Sequence, residues 1–130
     1  MVSKKEVINF VDALRIATEP SDENLEILLS YFFVWFKPMW LKKAIKEWID
    51  PITIFEQYTQ GRYKKITKGI LTLWWDGYLN DFLSSAPKLY NYLSRDPEIK
   101  KILDTEEGRR YLNYITERIY NWAYQIVSED

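Results

Sequence analysis

Apolar residues recur at helical spacing along most of the chain, and no segment alternates convincingly between apolar and polar positions as a half-buried strand does. The clearest pattern follows residues 104–107, which we predict to begin the last helix. Its apolar residues are spaced by three or four positions and therefore share one helix face: Leu112, Ile115, Ile119, Trp122 and Ile126. Residues 51–59 are the one segment whose β-rich composition leaves a strand as the main competing prediction.

Residues 25–40 form a run that is apolar on every side rather than along one stripe. A helix of this kind must be covered by its own domain, by a partner or by lipid. Its most apolar part, residues 27–36, is half of the roughly 20 residues that a membrane span needs, and charged residues and Pro38 bracket it. We therefore predict no membrane span and a central helix of a bundle, covered by the apolar faces of the other helices.

Capping residues and prolines divide the rest of the chain into helices. The predicted start signals are, in chain order, the Ser3 and Glu6 capping box, Ser21, Pro38, Asp50 with Pro51, Ala86 with Pro87, and Asp96 with Pro97. The helix that starts at Pro38 has a predicted inner face: Leu41, Ala44, Ile45 and Trp48. These signals predict short helices between longer ones.

Residues 62–83 are predicted to form one long helix. Its predicted buried stripe follows helical spacing: Ile66, Ile70, Leu73, Trp74 and Tyr78. Gly69 and Gly77 lie inside this helix, where each costs about 1 kcal/mol relative to Ala. We expect them to permit close packing of a neighbouring helix, or Gly77 to mark a break.

Together these elements predict an all-α protein, a compact helical bundle of four longer helices with short connecting helices. The length fits a single helical domain of residues 1–130. Composition agrees, because 47% hydrophobic and 17% aromatic residues exclude a disordered chain. Residues 96–103, Asp-Pro-Glu-Ile-Lys-Lys-Ile-Leu, resemble the Asp-Pro repeats of co-chaperone helical modules. We interpret this single copy as a helix cap.

The chain contains no His and no Cys, which removes most familiar catalytic chemistries and metal sites. Asp76 and Asp81 are too far apart around a helix to converge, and the adjacent Glu106 and Glu107 diverge. We therefore expect no enzymatic activity, no catalytic residue, no cofactor and no metal site. The absence of Cys and of a signal-peptide pattern favours a cytoplasmic protein, in the host cytoplasm if the chain is viral.

The formal net charge of −1 conceals an uneven distribution. Residues 1–36 have a net charge of −3, residues 37–75 of +5 and residues 76–130 of −3. The basic middle segment could hold a phosphate backbone, with a tyrosine to stack on bases. The candidate nucleic-acid-binding residues are Lys42, Lys43, Lys46, Arg62, Tyr63, Lys64, Lys65 and Lys68. The alternative is that these lysines are solvated outer faces of helices or bind an acidic protein.

Six Trp and ten Tyr are many for this length, and both residue types are enriched in binding hot spots. The Trp74-Trp75 pair points two indoles about 100° apart on a helix, so one faces the core and the other the surface. The candidate partner-binding residues are Trp35, Phe36, Trp40 and Trp75.

The leading hypothesis is a non-catalytic protein-interaction module that binds a protein partner or itself. Few Gln and Met, no Cys and much Ile, Tyr, Lys and Glu are typical of hot-living organisms. This composition suggests a small accessory or inhibitory protein of a thermophilic archaeal virus or plasmid, acting on host machinery. The alternative is a nucleic-acid-binding small subunit of a ribonucleoprotein or DNA complex that uses the basic middle segment.

Overall fold

The structure, a computed structural model, describes residues 18–33, 36–59 and 64–129. In these ranges all regular structure is helical and no strand occurs, which confirms the predicted all-α fold class. The helices are α1 (Asp22–Phe32), α2 (Pro38–Glu47), α3 (Pro51–Thr59), α4 (Lys64–Trp74), α5 (Asn80–Leu83), α6 (Ala86–Leu93), α7 (Pro97–Leu103) and α8 (Glu106–Ser128). The predicted first helix, with Ser3 and Glu6, lies outside the described residues.

Side-chain caps confirm most of the predicted helix starts. The Ser21 hydroxyl accepts a hydrogen bond from a first-turn amide of α1 at 3.1 Å. At the start of α3, Asp50 Oδ1 accepts from the Ile52 amide at 2.9 Å, and Asp96 Oδ1 accepts from two amides at the start of α7. Such caps satisfy N–H groups that have no partner inside the helix. Residues 51–59 are therefore a helix, despite their β-rich composition.

Helix α8 is the centre of the described bundle. It has 23 residues and packs against α2, α3, α4, α5, α6 and α7. Leu112 and Ile115 of its predicted inner face are buried, and the other three residues of that face are half-buried. The long unbroken apolar stripe of α8 gives all these helices one surface to cover.

The prediction that residues 27–36 form the central helix is wrong. Helix α1 ends at Phe32, and Phe33 is its C-cap. Leu28 and Leu29 enter the core, but Ile27 is exposed. Lys37 is extended, because the residue directly before a proline is disfavoured in helical conformation.

The predicted long helix over residues 62–83 is interrupted. A kinked segment, Trp75–Leu79, follows α4, and inside it Asp76 and Gly77 leave helical geometry. Gly77 has φ +80°, a left-handed conformation that glycine adopts readily. The expectation of a break at Gly77 is therefore confirmed. No atom of the described residues lies within 4 Å of a Cβ built on Gly69, so close packing at Gly69 is not found there.

The break also changes which residues of α4 are buried. Leu71 and Trp74 face the core, whereas the predicted core residues Ile66 and Leu73 are 40% and 49% exposed. Ile70, Trp74 and Tyr78 of the predicted stripe are buried or half-buried, so the prediction is wrong at Ile66 and Leu73. Since the helix ends at Trp74, its orientation is set by Leu71 and Trp74, which are three residues apart and share a face.

Helix α2 buries Leu41 and Ala44 and half-buries Ile45, as predicted, but Trp48 is 50% exposed. The helix ends at Glu47, and Trp48 is its C-cap in the left-handed conformation, with φ 51° and ψ 49°. Helical spacing therefore no longer applies at Trp48, and the predicted inward position of this side chain is wrong.

The corner between α2 and α3 is fixed to α8 by two polar contacts. The buried Tyr111 hydroxyl donates to the Ile49 carbonyl oxygen at 2.7 Å, and Arg118 Nε donates to Asp50 Oδ2 at 2.9 Å. Burial opposes ionisation of Asp50, but hydrogen bonds from Arg118, Thr53 and the Ile52 amide outweigh it and lower the pKa of this carboxyl. The corner thus places the end of α2 beside the first half of α8.

Candidate protein-interaction surface

The two adjacent tryptophans at the end of α4 differ in burial. Trp74 is fully buried, and its ring meets that of Tyr78 edge-on, with centroids 5.3 Å apart. Trp75, the first residue of the kinked segment, is half-buried. The expectation that one indole faces the core and the other lies nearer the surface is confirmed.

Trp75 lies against two tyrosines of α8. Its ring centroid is 5.6 Å from that of Tyr120 and 6.3 Å from that of Tyr124. The two tyrosines are one helical turn apart and stack at 6.1 Å with an interplanar angle of 18°. Tyr124 is 53% exposed. We call Trp75, Tyr120 and Tyr124 the Trp75 aromatic surface.

The backbone that carries Trp75 is unusual. The Asn80 N–H donates to the Trp75 carbonyl oxygen across a kink, in which Asp76 and Gly77 have non-helical φ and ψ. Because α4 ends at Trp74, the Trp75 indole lies at a helix end, where it contacts α8.

Two other predicted partner-binding residues, Phe36 and Trp40, pack against each other. Phe36 is only 5% exposed, and its ring centroid is 5.2 Å from that of the half-buried Trp40. The chain's own residues therefore cover Phe36, and the apolar run does not present this ring to a partner. Trp35 lies outside the described residues.

A cleft of about 230 Å³ lies beside Phe36. Its lining is largely apolar: Phe33, Phe36, Tyr92, Leu93, Arg95, Asp96 and Ile99. The Arg95 guanidinium donates to both carboxylate oxygens of Glu26, at 2.7 and 2.9 Å, and lies 5.1 Å from the Tyr92 ring centroid. The hydrogen bond from Arg95 lowers the pKa of Glu26. These contacts join α1 to the α6–α7 corner, so the charged groups at this cleft have a structural role.

Sequence reasoning did not select Trp48 as a site residue. Its ring packs edge-on against those of Tyr111 and Tyr114, with centroids 5.9 and 5.5 Å apart. The Asp50-Pro51 start signal, two residues after Trp48, is the sequence feature that could have predicted the exposure of Trp48. Helix α2 must end before the next helix begins. Tyr120 and Tyr124 were also missed, since their exposure depends on where α4 meets α8.

The described basic residues lie on two helices. Lys42, Lys43 and Lys46 are exposed on α2, which packs against α7 and α8. Lys64 and Lys65 are exposed on α4, which packs against α8 and the kinked segment. Lys68 is half-buried, and its Nζ donates to the Glu129 carbonyl oxygen at 2.6 Å.

The two helices contact different parts of the last helix. The Trp48 end of α2 contacts Tyr114, and Lys68 reaches Glu129, the C-cap of α8. These two residues are about 22 Å apart at 1.5 Å per residue. A single basic patch formed by both helices stays a prediction. Arg62 and Tyr63 lie outside the described residues.

Three comparisons, with protein-family models, with curated proteins and with solved structures, found no match for this chain. In the described part of the chain, no three acidic side chains are grouped so as to hold a metal ion. No helix within the same residues combines the length and apolarity that crossing a membrane requires.

Proposed function

We propose that this chain is a non-catalytic protein-interaction module and that its partner binds at the Trp75 aromatic surface. The observation that carries the proposal is the packed group of three large rings, of which Tyr124 is more than half exposed. Tryptophan and tyrosine dominate the hot spots of protein interfaces because they bury a large area with few rotatable bonds.

The fixed geometry of these rings supports the proposal. Tyr120 and Tyr124 stack on each other, and Trp75 packs against both, so their orientations are already set before a partner arrives. Preorganised side chains lose little conformational entropy on binding. Each ring also carries a polar group at its edge, which suits a surface that is wet when free and covered when bound.

The source of the protein and its role in the host are proposed from composition alone. The scarcity of Gln and Met and the absence of Cys support an accessory or inhibitory protein of a thermophilic archaeal virus or plasmid. Such a protein would act on host machinery in the host cytoplasm.

The experiment that tests this function compares Tyr124→Ala and Trp75→Ala with Trp48→Ala. Trp48, the C-cap of α2, is an exposed tryptophan that packs against another part of α8, so it controls for the loss of an aromatic ring. A partner captured by the wild type is purified, and its affinity is measured by calorimetry. We expect Tyr124→Ala and Trp75→Ala to weaken binding by about 30-fold, the effect of losing a hot spot of about 2 kcal/mol.

Trp48→Ala should leave the affinity of that partner unchanged. Circular dichroism of each variant establishes that it is folded. Equal affinity of the wild type, Tyr124→Ala and Trp75→Ala for the partner contradicts the proposed surface.

A specific observation also supports the alternative function, nucleic-acid binding. Lys64 and Lys65 occupy the first turn of α4, which contains no acidic residue. This end of a helix carries a partial positive charge, so lysines there destabilise the helix unless an anion offsets them. A phosphate backbone would supply that anion.

We expect a nucleic-acid complex, if it forms, to weaken steeply with salt and to be lost in Lys64→Glu/Lys65→Glu. Mobility-shift assays with single- and double-stranded DNA and RNA at low salt measure this. Lys100→Glu/Lys101→Glu on α7 is the matched control, since it makes the same charge change at another exposed lysine pair. No shift with the wild type, or equal loss in both double variants, eliminates this alternative.

A further inference from the structure

The outward side of α4 is apolar at its centre. Its exposed residues recur at spacings of three and four and therefore share one face: Lys65, Ile66, Gly69, Thr72 and Leu73. Ile66 and Leu73 are among the large hydrophobic side chains that the structure leaves exposed. We call this set the α4 outer face. It is separate from the Trp75 aromatic surface, because Leu73 is 49% exposed whereas Trp75 packs against Tyr120 and Tyr124 of α8.

Gly69 at the middle of this face is not explained by the fold of the described residues. Its φ is not positive, unlike that of Gly77. A Cβ built on it meets no described atom within 4 Å. A glycine within a helix is destabilising relative to Ala, but it lets a second helix approach closely at that point. The position therefore suits a helix crossing rather than a local backbone requirement.

The α4 outer face is complementary to itself. When two copies of α4 pack antiparallel with the two-fold axis beside Gly69, Ile66 of each copy lies opposite Leu73 of the other. The same arrangement brings the basic end of each helix, at Lys65, near the exposed Asp76 at the far end of the other. An isologous interface requires this reciprocity, in which residue i meets j and j meets i.

We propose that the α4 outer face binds a second copy of this chain in an antiparallel two-fold dimer. The self-complementary charge and the central glycine favour a second copy over an unrelated partner, which would need neither. A two-fold contact of this type closes on itself, so it produces dimers without filaments. The proposal goes beyond the proposed function, since it uses a different surface and leaves the Trp75 aromatic surface free.

The expected dimer is weak. Helix α4 has 11 residues and contributes two exposed large apolar side chains. Interfaces that bury less than about 1,200 Å² are typical of weak or transient association. The dimer should therefore form in proportion to protein concentration rather than persist at high dilution.

Sedimentation velocity across a concentration series from micromolar to millimolar tests the proposal. The average mass of the wild type should rise with concentration from the monomer mass of 15.7 kDa towards twice that value. Leu73→Glu should remain a monomer, because it places a charge in the apolar centre of the interface. Met39→Glu, at an exposed apolar position on α2, is the matched control and should dimerise as the wild type does. A wild type that stays monomeric, or that grows beyond a dimer, overturns the proposal.

Two further variants test the geometry. Lys65→Glu and Asp76→Lys should each weaken the dimer, and the double variant should restore it. Because the chain has no Cys, Gly69→Cys introduces a single thiol near the two-fold axis, and oxidation should give a disulfide-linked dimer. Asn113→Cys, exposed on α8, should stay uncross-linked. Equal cross-linking of the two cysteine variants, or no recovery in the charge exchange, overturns the antiparallel arrangement.

Discussion

Replacing Trp74 with alanine lowers the free energy of unfolding by about 4 kcal/mol, whereas the same change at Trp75 lowers it by about 1 kcal/mol. Trp74 is fully buried in the hydrophobic cluster, and its ring packs against Tyr78. Its removal loses the transfer free energy of an indole and leaves a cavity that the surrounding helices fill only in part. Trp75 is half-buried and leaves no enclosed cavity, so its loss costs less.

Urea denaturation of the two variants measures this difference, followed by circular dichroism because each variant retains other tryptophans. The comparison is closely matched, since the two positions are adjacent and undergo the same chemical change. Equal destabilisation by Trp74→Ala and Trp75→Ala would show that the two indoles are not divided between core and surface. A further check is the Trp75→Phe variant, which keeps an aromatic ring and should be nearly as stable as the wild type.

The features that the sequence predicted well are local. Ser21, Asp50 and Asp96 are caps because their side chains bond to amides two or three residues ahead, and such bonds require no distant part of the chain. The inner face of α8 was also predictable, since its apolar spacing is unbroken over many turns. In each case the information lies within a few consecutive residues.

The wrong predictions at Trp48 and Leu73 have one physical cause. In both cases the helix ends earlier than helical spacing along the sequence predicts. Trp48 points outward because α2 stops at Glu47. Leu73 is exposed because α4 ends at Trp74 and is oriented by Leu71 and Trp74. The position of such an end depends on competing tertiary contacts, which periodicity within a single segment does not contain.

The candidate site was predicted in part for the same reason. Trp75 was identifiable because adjacent tryptophans must diverge around a helix. Tyr120 and Tyr124 could not be assigned to it, since the contact depends on α4 and α8 packing side by side. Likewise, the lysines of α2 and α4 are close in the sequence, yet they lie near different points along α8.

Replacing Gly108 with alanine lowers the free energy of unfolding by about 3 kcal/mol, at the upper end of the range for overpacking. Gly108 is buried in the first turn of α8, where its amide donates to the Thr105 hydroxyl at 3.0 Å. A Cβ at this position would overlap the Ile102 carbonyl oxygen and lie 2.9 Å from the Leu103 Cα. These are backbone atoms, so the methyl group can be accommodated only if α7 and α8 move apart.

Gly69→Ala is the matched control, because it adds the same methyl group inside a helix at a site with no described atom within 4 Å. It should raise the free energy of unfolding by about 1 kcal/mol, since alanine has less conformational freedom to lose than glycine. Both variants are compared by urea denaturation at high dilution, so that association through α4 does not contribute. The two substitutions should have opposite signs, because only the methyl group at Gly108 meets backbone atoms of α7. A Gly108→Ala variant as stable as the wild type would contradict this prediction. It would show that the backbones of α7 and α8 leave room for a methyl group at Gly108.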